Sequence, residues 1–71
     1  MTIAKNIEVS STSTVSFEDA LKSGIARVSK TIKNVQGAWI KEQKVSVENG
    51  KVTSYNVTAI VTFVLEDGDS A

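Results

Sequence analysis

The chain has 71 residues, eight basic and eight acidic side chains, and neither cysteine nor histidine. Disulfide stapling and thiolate or imidazole metal sites are therefore excluded, and the cancelled charge gives no field to draw nucleic acid or an anionic membrane. A domain this small hides only about 60% of the surface its unfolded chain exposes, so its core is marginal and self-association is the remaining common source of stability.

Ile3, Ile7 and Val9 share one parity, interrupted by Lys5, while Asn6 and Glu8 occupy the other. This alternation predicts a first strand over 2–9. Met1-Thr2-Ile3-Ala4-Lys5 lacks the charged head and apolar stretch of a signal peptide, and no apolar run reaches bilayer length. A cytoplasmic chain with no membrane partner is expected. Ser10-Ser11-Thr12-Ser13-Thr14 reads as a polar linker, because hydroxyls compete for backbone hydrogen bonds and discourage regular structure.

From Ser16 the period changes. Phe17, Ala20, Leu21, Gly24, Ile25, Val28 and Ile32 recur at steps of three and four, which predicts an amphipathic helix over 16–33. Ser16 suits the N-cap, and Asp19 resembles a capping-box acid. Glu18 and Asp19 complement the positive end of the helix dipole, and Lys30 and Lys33 the negative end. Gly24 costs about 1 kcal/mol relative to alanine within a helix, so its place on the apolar stripe suggests close approach by another backbone.

Beyond Asn34 the period falls to two. Asn49-Gly50 between Glu48 and Lys51 fits a two-residue type I′ hairpin turn, whose central residues both need positive φ. This predicts strands over 36–48 and 51–66, with a frayed tail at 67–71. Counting outward from the turn sets Lys44 opposite Tyr55, Gln43 opposite Asn56, Ile40 opposite Ala59, Trp39 opposite Ile60 and Ala38 opposite Val61. One face then carries Ala38, Ile40, Tyr55, Val57, Ala59, Val61, Phe63 and Leu65, with Glu42 as its only acid, and should meet the helix. The other carries Gly37, Trp39, Lys41, Gln43, Asn56, Thr58, Ile60, Thr62 and Val64. A bulge between Lys41 and Lys44 would shift part of this map by one. The expected fold is α+β: a single domain, 1–71, of strand, helix, strand, strand, with one helix on a three-stranded antiparallel sheet.

Catalytic chemistry is hard to assemble here, since Ser and Thr have no histidine or cysteine partner and the four glycines are scattered, so no enzyme and no catalytic residue is expected. Glu66, Asp67 and Asp69 carry oxygen ligands that suit a hard cation, but an acidic, frayed C-terminus is the better reading, and no metal site is expected. Glu42 beside Lys41 and Lys44 reads as a surface or intersubunit ion pair. Trp39 offers an indole for stacking on a planar ligand, with the amides of Gln43 and Asn56 to read its polar edge. On composition alone the better reading of the same features is a hydrophobic contact between subunits, in which Trp39 packs with Ile60, because tryptophan is enriched at interfaces.

Several segments, in their order and spacing, resemble those of the dodecins. They are Ser11-Thr12-Ser13, Ala26-Arg27 with Thr31, Asn34-Val35, Trp39-Ile40-Lys41-Glu42-Gln43 and Thr62-Phe63-Val64-Leu65-Glu66. The resemblance spans Ile3 to Asp67 and implies a hollow homododecamer that binds flavin, riboflavin or FMN, without catalysis. It places the family's stacking tryptophan at Gly37 and its glutamine at Asn56. Trp39 lies two residues on, about 6–7 Å further along the strand. The binding set it implies is Gly37, Trp39, Gln43 and Asn56. The alternative is a structural dodecin-like assembly that has lost flavin binding, with Trp39 as an intersubunit packing residue.

Overall fold

The computed structural model describes residues 2–65. In chain order it contains β1 (Ile3–Ser13), α1 (Phe17–Ser29), β2 (Val35–Glu48) and β3 (Lys51–Leu65). The strands form one antiparallel sheet in the order β1-β3-β2, so the last strand is central. One helix on a three-stranded antiparallel sheet is the α+β architecture the sequence predicts.

The first strand is longer than its alternation suggests. It continues through Ser10–Ser13, the segment expected to be a linker, because each of those residues pairs with β3: Ser10 with Thr58, Ser11 with Val57, Thr12 with Asn56 and Ser13 with Tyr55. The hydroxyls that discourage regular structure in isolation find partners across the sheet instead. Ser13 is buried and organises the turn into the helix. Its Oγ accepts from the backbone N–H groups of Val15, at 2.8 Å, and Ser16, at 3.4 Å, and donates to the Asp19 carboxylate at 2.7 Å. Ser16 caps α1 as expected, accepting from the Asp19 N–H at 2.9 Å.

The helix ends at Ser29 rather than at residue 33. Past it the Val28 carbonyl accepts from Thr31 and Ile32 N–H and from the Thr31 hydroxyl, a tightened last turn that cannot propagate. Asn34 then adopts a left-handed backbone, φ 65°, and its carbonyl accepts from Val64 N–H, seating the start of β2 against β3. Asn49 and Gly50, at φ 53° and 75°, close the hairpin as the type I′ geometry requires.

Around the turn, Glu48 pairs with Lys51 and Val47 with Val52, as counted. The register then slips three times. Thr53 is an extra residue on β3, and Lys41 and, near the start of the strand, Gln36 are extra residues on β2. Between Thr53 and Lys41, Lys44 faces Asn56 and Gln43 faces Val57, not Tyr55 and Asn56 as the simple count has it. Beyond Lys41 the count recovers, with Ile40 opposite Ala59, Trp39 opposite Ile60 and Ala38 opposite Val61. Directly paired residues share a face. The slip therefore moves Gln43 to the helix side, beside Val57, and moves Glu42 off that side to pair with Thr58.

The core is small. Among the described residues, the buried apolar side chains are Ala20, Val57, Ala59 and Val61, with Phe17 and Leu21 packed against them. Phe17 and Tyr55 meet edge to face, ring centroids 5.1 Å apart. The helix rests on β1 and β3 and leaves β2 uncovered, so Ile40, Val45 and Val47 stay exposed. Rg is 15.0 Å and the long axis 57 Å, whereas a compact domain of this length has an Rg of about 11 Å.

Two substitutions probe this core. A Cβ added at Gly24 lies 3.1 Å from the Ser11 Cβ, an atom fixed by the β1 backbone that no rotamer change removes. Gly24→Ala should lower stability by about 1 kcal/mol in chemical denaturation, overpacking outweighing alanine's better helix propensity; an unchanged or raised midpoint would show that α1 and β1 are not in forced contact. Ser13→Ala should cost about 1–2 kcal/mol in the same assay, because it takes the acceptor from the Val15 and Ser16 backbone N–H groups and releases Asp19.

Candidate functional site

Among the described residues, nothing covers the sheet face away from α1. Its rows follow from the register. Asn6, Thr62 and Gly37 lie abreast across β1, β3 and β2, followed by Glu8, Ile60 and Trp39, then Ser10, Thr58 and Glu42, then Thr12, Asn56 and Lys44. Trp39 is 53% exposed, which for a large apolar ring on a strand leaves an unpartnered π face. Ile60 beside it is half-buried.

Gly37 adjoins Trp39 on the same face. A Cβ built there meets nothing within 4 Å, so the strand presents bare backbone and open space next to the indole. The floor of that space is polar, since Thr62 donates its hydroxyl to the Asn6 side-chain oxygen at 2.8 Å. On the other flank of Ile60, the Lys41 ammonium crosses β3 to the Glu8 carboxylate at 3.1 Å. This pair is about half exposed at both ends, so its contribution to stability is small and it acts mainly as a charged border.

Asn56 lies beyond that border. It stands four residues from Ile60 on β3, about 13 Å away at the rise of a strand. Its amide nitrogen faces β1, at 2.9 Å from Thr12 Oγ1, 3.2 Å from Ser10 Oγ and 3.3 Å from the Ser11 carbonyl oxygen.

The four residues singled out in the sequence are thus divided. Gly37 and Trp39 are neighbours. Asn56 shares their face at a distance, and Gln43 is carried to the helix side by the Lys41 bulge. Asn6, Glu8 and Lys41 border the open space and were not singled out as a group, because β1 enters the face only through a strand order that local periodicity does not encode. Lys41 itself was placed on the correct face. The acidic residues Glu66, Asp67 and Asp69 lie outside the described residues. Among the described residues no three acidic side chains gather to hold a metal ion, and no helix is long and apolar enough to cross a membrane.

Comparison with known proteins places this geometry in context. The family model for dodecin matches residues 3–66. A point variant of the Thermus thermophilus dodecin superposes with a TM-score of 0.89 at 28% identity, covering 94% of this chain and 100% of the other. The dodecin of Streptomyces davaonensis shares the fold, with a TM-score of 0.87 at 24% identity over 93% of this chain and 97% of its own. Calcium dodecin, a calcium-chelating antigen of Mycobacterium tuberculosis, superposes at 0.78 with 25% identity, covering 94% and 96%. Comparison with curated proteins finds no match. A family match along nearly the whole chain, on a strand, helix, strand, strand framework of the same shape, makes this protein a member of the dodecin family.

Proposed function

We propose that this dodecin is a non-enzymatic binding protein that assembles into a homododecameric shell in the cytoplasm and sequesters a flavin, riboflavin or FMN, at interfaces between its subunits. The half-exposed Trp39 on an uncovered sheet face carries this reading. The elongated shape and the small buried core, four apolar side chains among the described residues, supply the reason to assemble: the chain alone leaves too much apolar surface in water.

The residues fit a planar aromatic ligand in a particular way. Trp39 supplies the π face, and the open space over Gly37 leaves room for a ring beside or under it. Asn56 is about 13 Å along the strand from that row, with the Lys41–Glu8 pair between them, so a ring stacked on Trp39 meets an Asn56 amide only from another copy. Gln43, on the helix side of the sheet, takes no part in this site.

A second reading has its own support. Trp39 sits directly beside Ile60, and the two form an apolar pair that another subunit could cover with no ligand present. One relative is named for chelating calcium, so family membership alone does not assign this chain its ligand.

Titrating riboflavin with the purified protein separates these readings. Stacking should quench ligand emission at micromolar protein, and unchanged emission would remove the flavin reading. In the same titration Gly37→Trp should tighten binding by about tenfold, since stacking on an aromatic side chain is worth roughly 1–3 kcal/mol per ring and the space at Gly37 is open. Sedimentation of Trp39→Ala gives the complementary answer. The oligomer should survive if Trp39 is a ligand platform and dissociate if it is an intersubunit plug.

A further inference from the structure

The chain holds four asparagines, Asn6, Asn34, Asn49 and Asn56, and they differ in the residue that follows. Ile7, Val35 and Val57 follow three of them, and a β-branched side chain crowds the backbone nitrogen beside it. Asn49 alone is followed by glycine, whose nitrogen is unhindered. Both residues of that pair are exposed, and a Cβ built at Gly50 meets nothing within 4 Å, so water reaches this peptide. The ladder closes between Glu48 and Lys51, which leaves the Gly50 N–H outside it.

These features suit an asparagine that modifies itself. The Gly50 nitrogen gives its proton to water or hydroxide and attacks the side-chain carbonyl carbon of Asn49. A new C–N bond forms, the carboxamide C–N bond breaks, and the NH2 group takes up a proton and leaves as ammonia. Water then opens the cyclic imide at either carbonyl, giving aspartate or, with the main chain rerouted through the side chain, isoaspartate. The fold withholds one requirement. Ring closure needs the Gly50 nitrogen and the Asn49 Cβ on the same side of the bond joining Asn49 Cα to its carbonyl carbon. With φ 53° and 75° the turn is type I′, whose first central residue has ψ of about +30°, and this rotates the nitrogen about 150° away from Cβ.

We infer that Asn49 is a latent self-modification site, shielded while the turn is closed, released when the hairpin tip opens, and needing water as its only co-reactant. The inference is independent of the flavin reading. Isoaspartate adds a carbon to the main chain, so the two-residue turn cannot re-form and the Glu48–Lys51 and Val47–Val52 pairs lose their register. Either product adds a negative charge beside Glu48. An opening of the tip is thereby written into the covalent structure.

The test follows the tryptic peptide Val45–Lys51, which contains no other asparagine, by mass spectrometry during incubation at neutral pH. Exchange of NH2 for OH, read as a mass gain, should be at least about tenfold slower in the native protein than in the guanidinium-unfolded chain, because the tip is open in only a small fraction of native molecules. The Val47→Ala, Val52→Ala double variant, shown to be folded by circular dichroism, weakens the cross-strand pair beside the turn and should convert about threefold faster than the native protein. Equal rates in native and unfolded protein would overturn the inference, since the turn would then give no shield. A rate that the double variant leaves unchanged would overturn it as well, because opening would not be the gate. Absence of conversion in the unfolded chain would remove the site itself.

Discussion

The 13-residue helix is about 20 Å long, whereas the 15-residue central strand beneath it runs about 50 Å. A single short helix therefore shields only part of one face of a long, narrow sheet, and β2 lies beyond its reach. This mismatch sets the rest of the structure. It limits the buried apolar set to Ala20, Val57, Ala59 and Val61, and it stretches the molecule to 57 Å. Among the described residues it also leaves one complete sheet face without a second layer. Gly24, set against Ser11, brings helix and sheet close where they do meet, so the little core available is dense.

The uncovered face is sorted rather than uniform. Hydroxyls and amides hold its two ends, Thr62 with Asn6 at one and Asn56 with Ser10 and Thr12 at the other. Trp39 and Ile60 form an apolar middle row, bordered by the Lys41–Glu8 pair. Such an arrangement suits a surface that meets both other chains and a flat ligand: apolar where stacking or packing occurs, and internally hydrogen-bonded elsewhere, so that covering it strands few polar groups.

Much of this was legible in the residues. The Ser16 cap, the stripe from Phe17 to Val28 and the Asn49-Gly50 turn each rest on a local physical rule, and each element forms where its rule applies. What escaped is non-local. Ser10 to Ser13 look like linker because their hydroxyls need cross-strand partners, and those partners lie some 45 residues away on β3. The helix end at Ser29 depends on the left-handed Asn34 anchoring β2, and the apolar Ile32 continues the helical period past the true end. At the site, turn counting found Trp39 and Gly37 together, since both lie where the register has recovered. It misplaces Gln43, which lies inside the slip, because a bulge shows in the residues only as weakened apolar parity, which does not fix where the extra residue sits.

The Thr53 and Lys41 bulges have a consequence for how tolerant the hairpin is of length change. Between Thr53 and Lys41 the arm runs half a pleat out of phase with its remainder, and the second irregularity restores the first. An insertion or deletion confined to this stretch does not merely lengthen or shorten the arm. It exchanges inside for outside for every side chain from there to the next irregularity. The spacing between Trp39 and the turn thus works as a parity setting, and two related chains with identical residues here can turn opposite chemistries toward the open face if only one of them carries the extra residue.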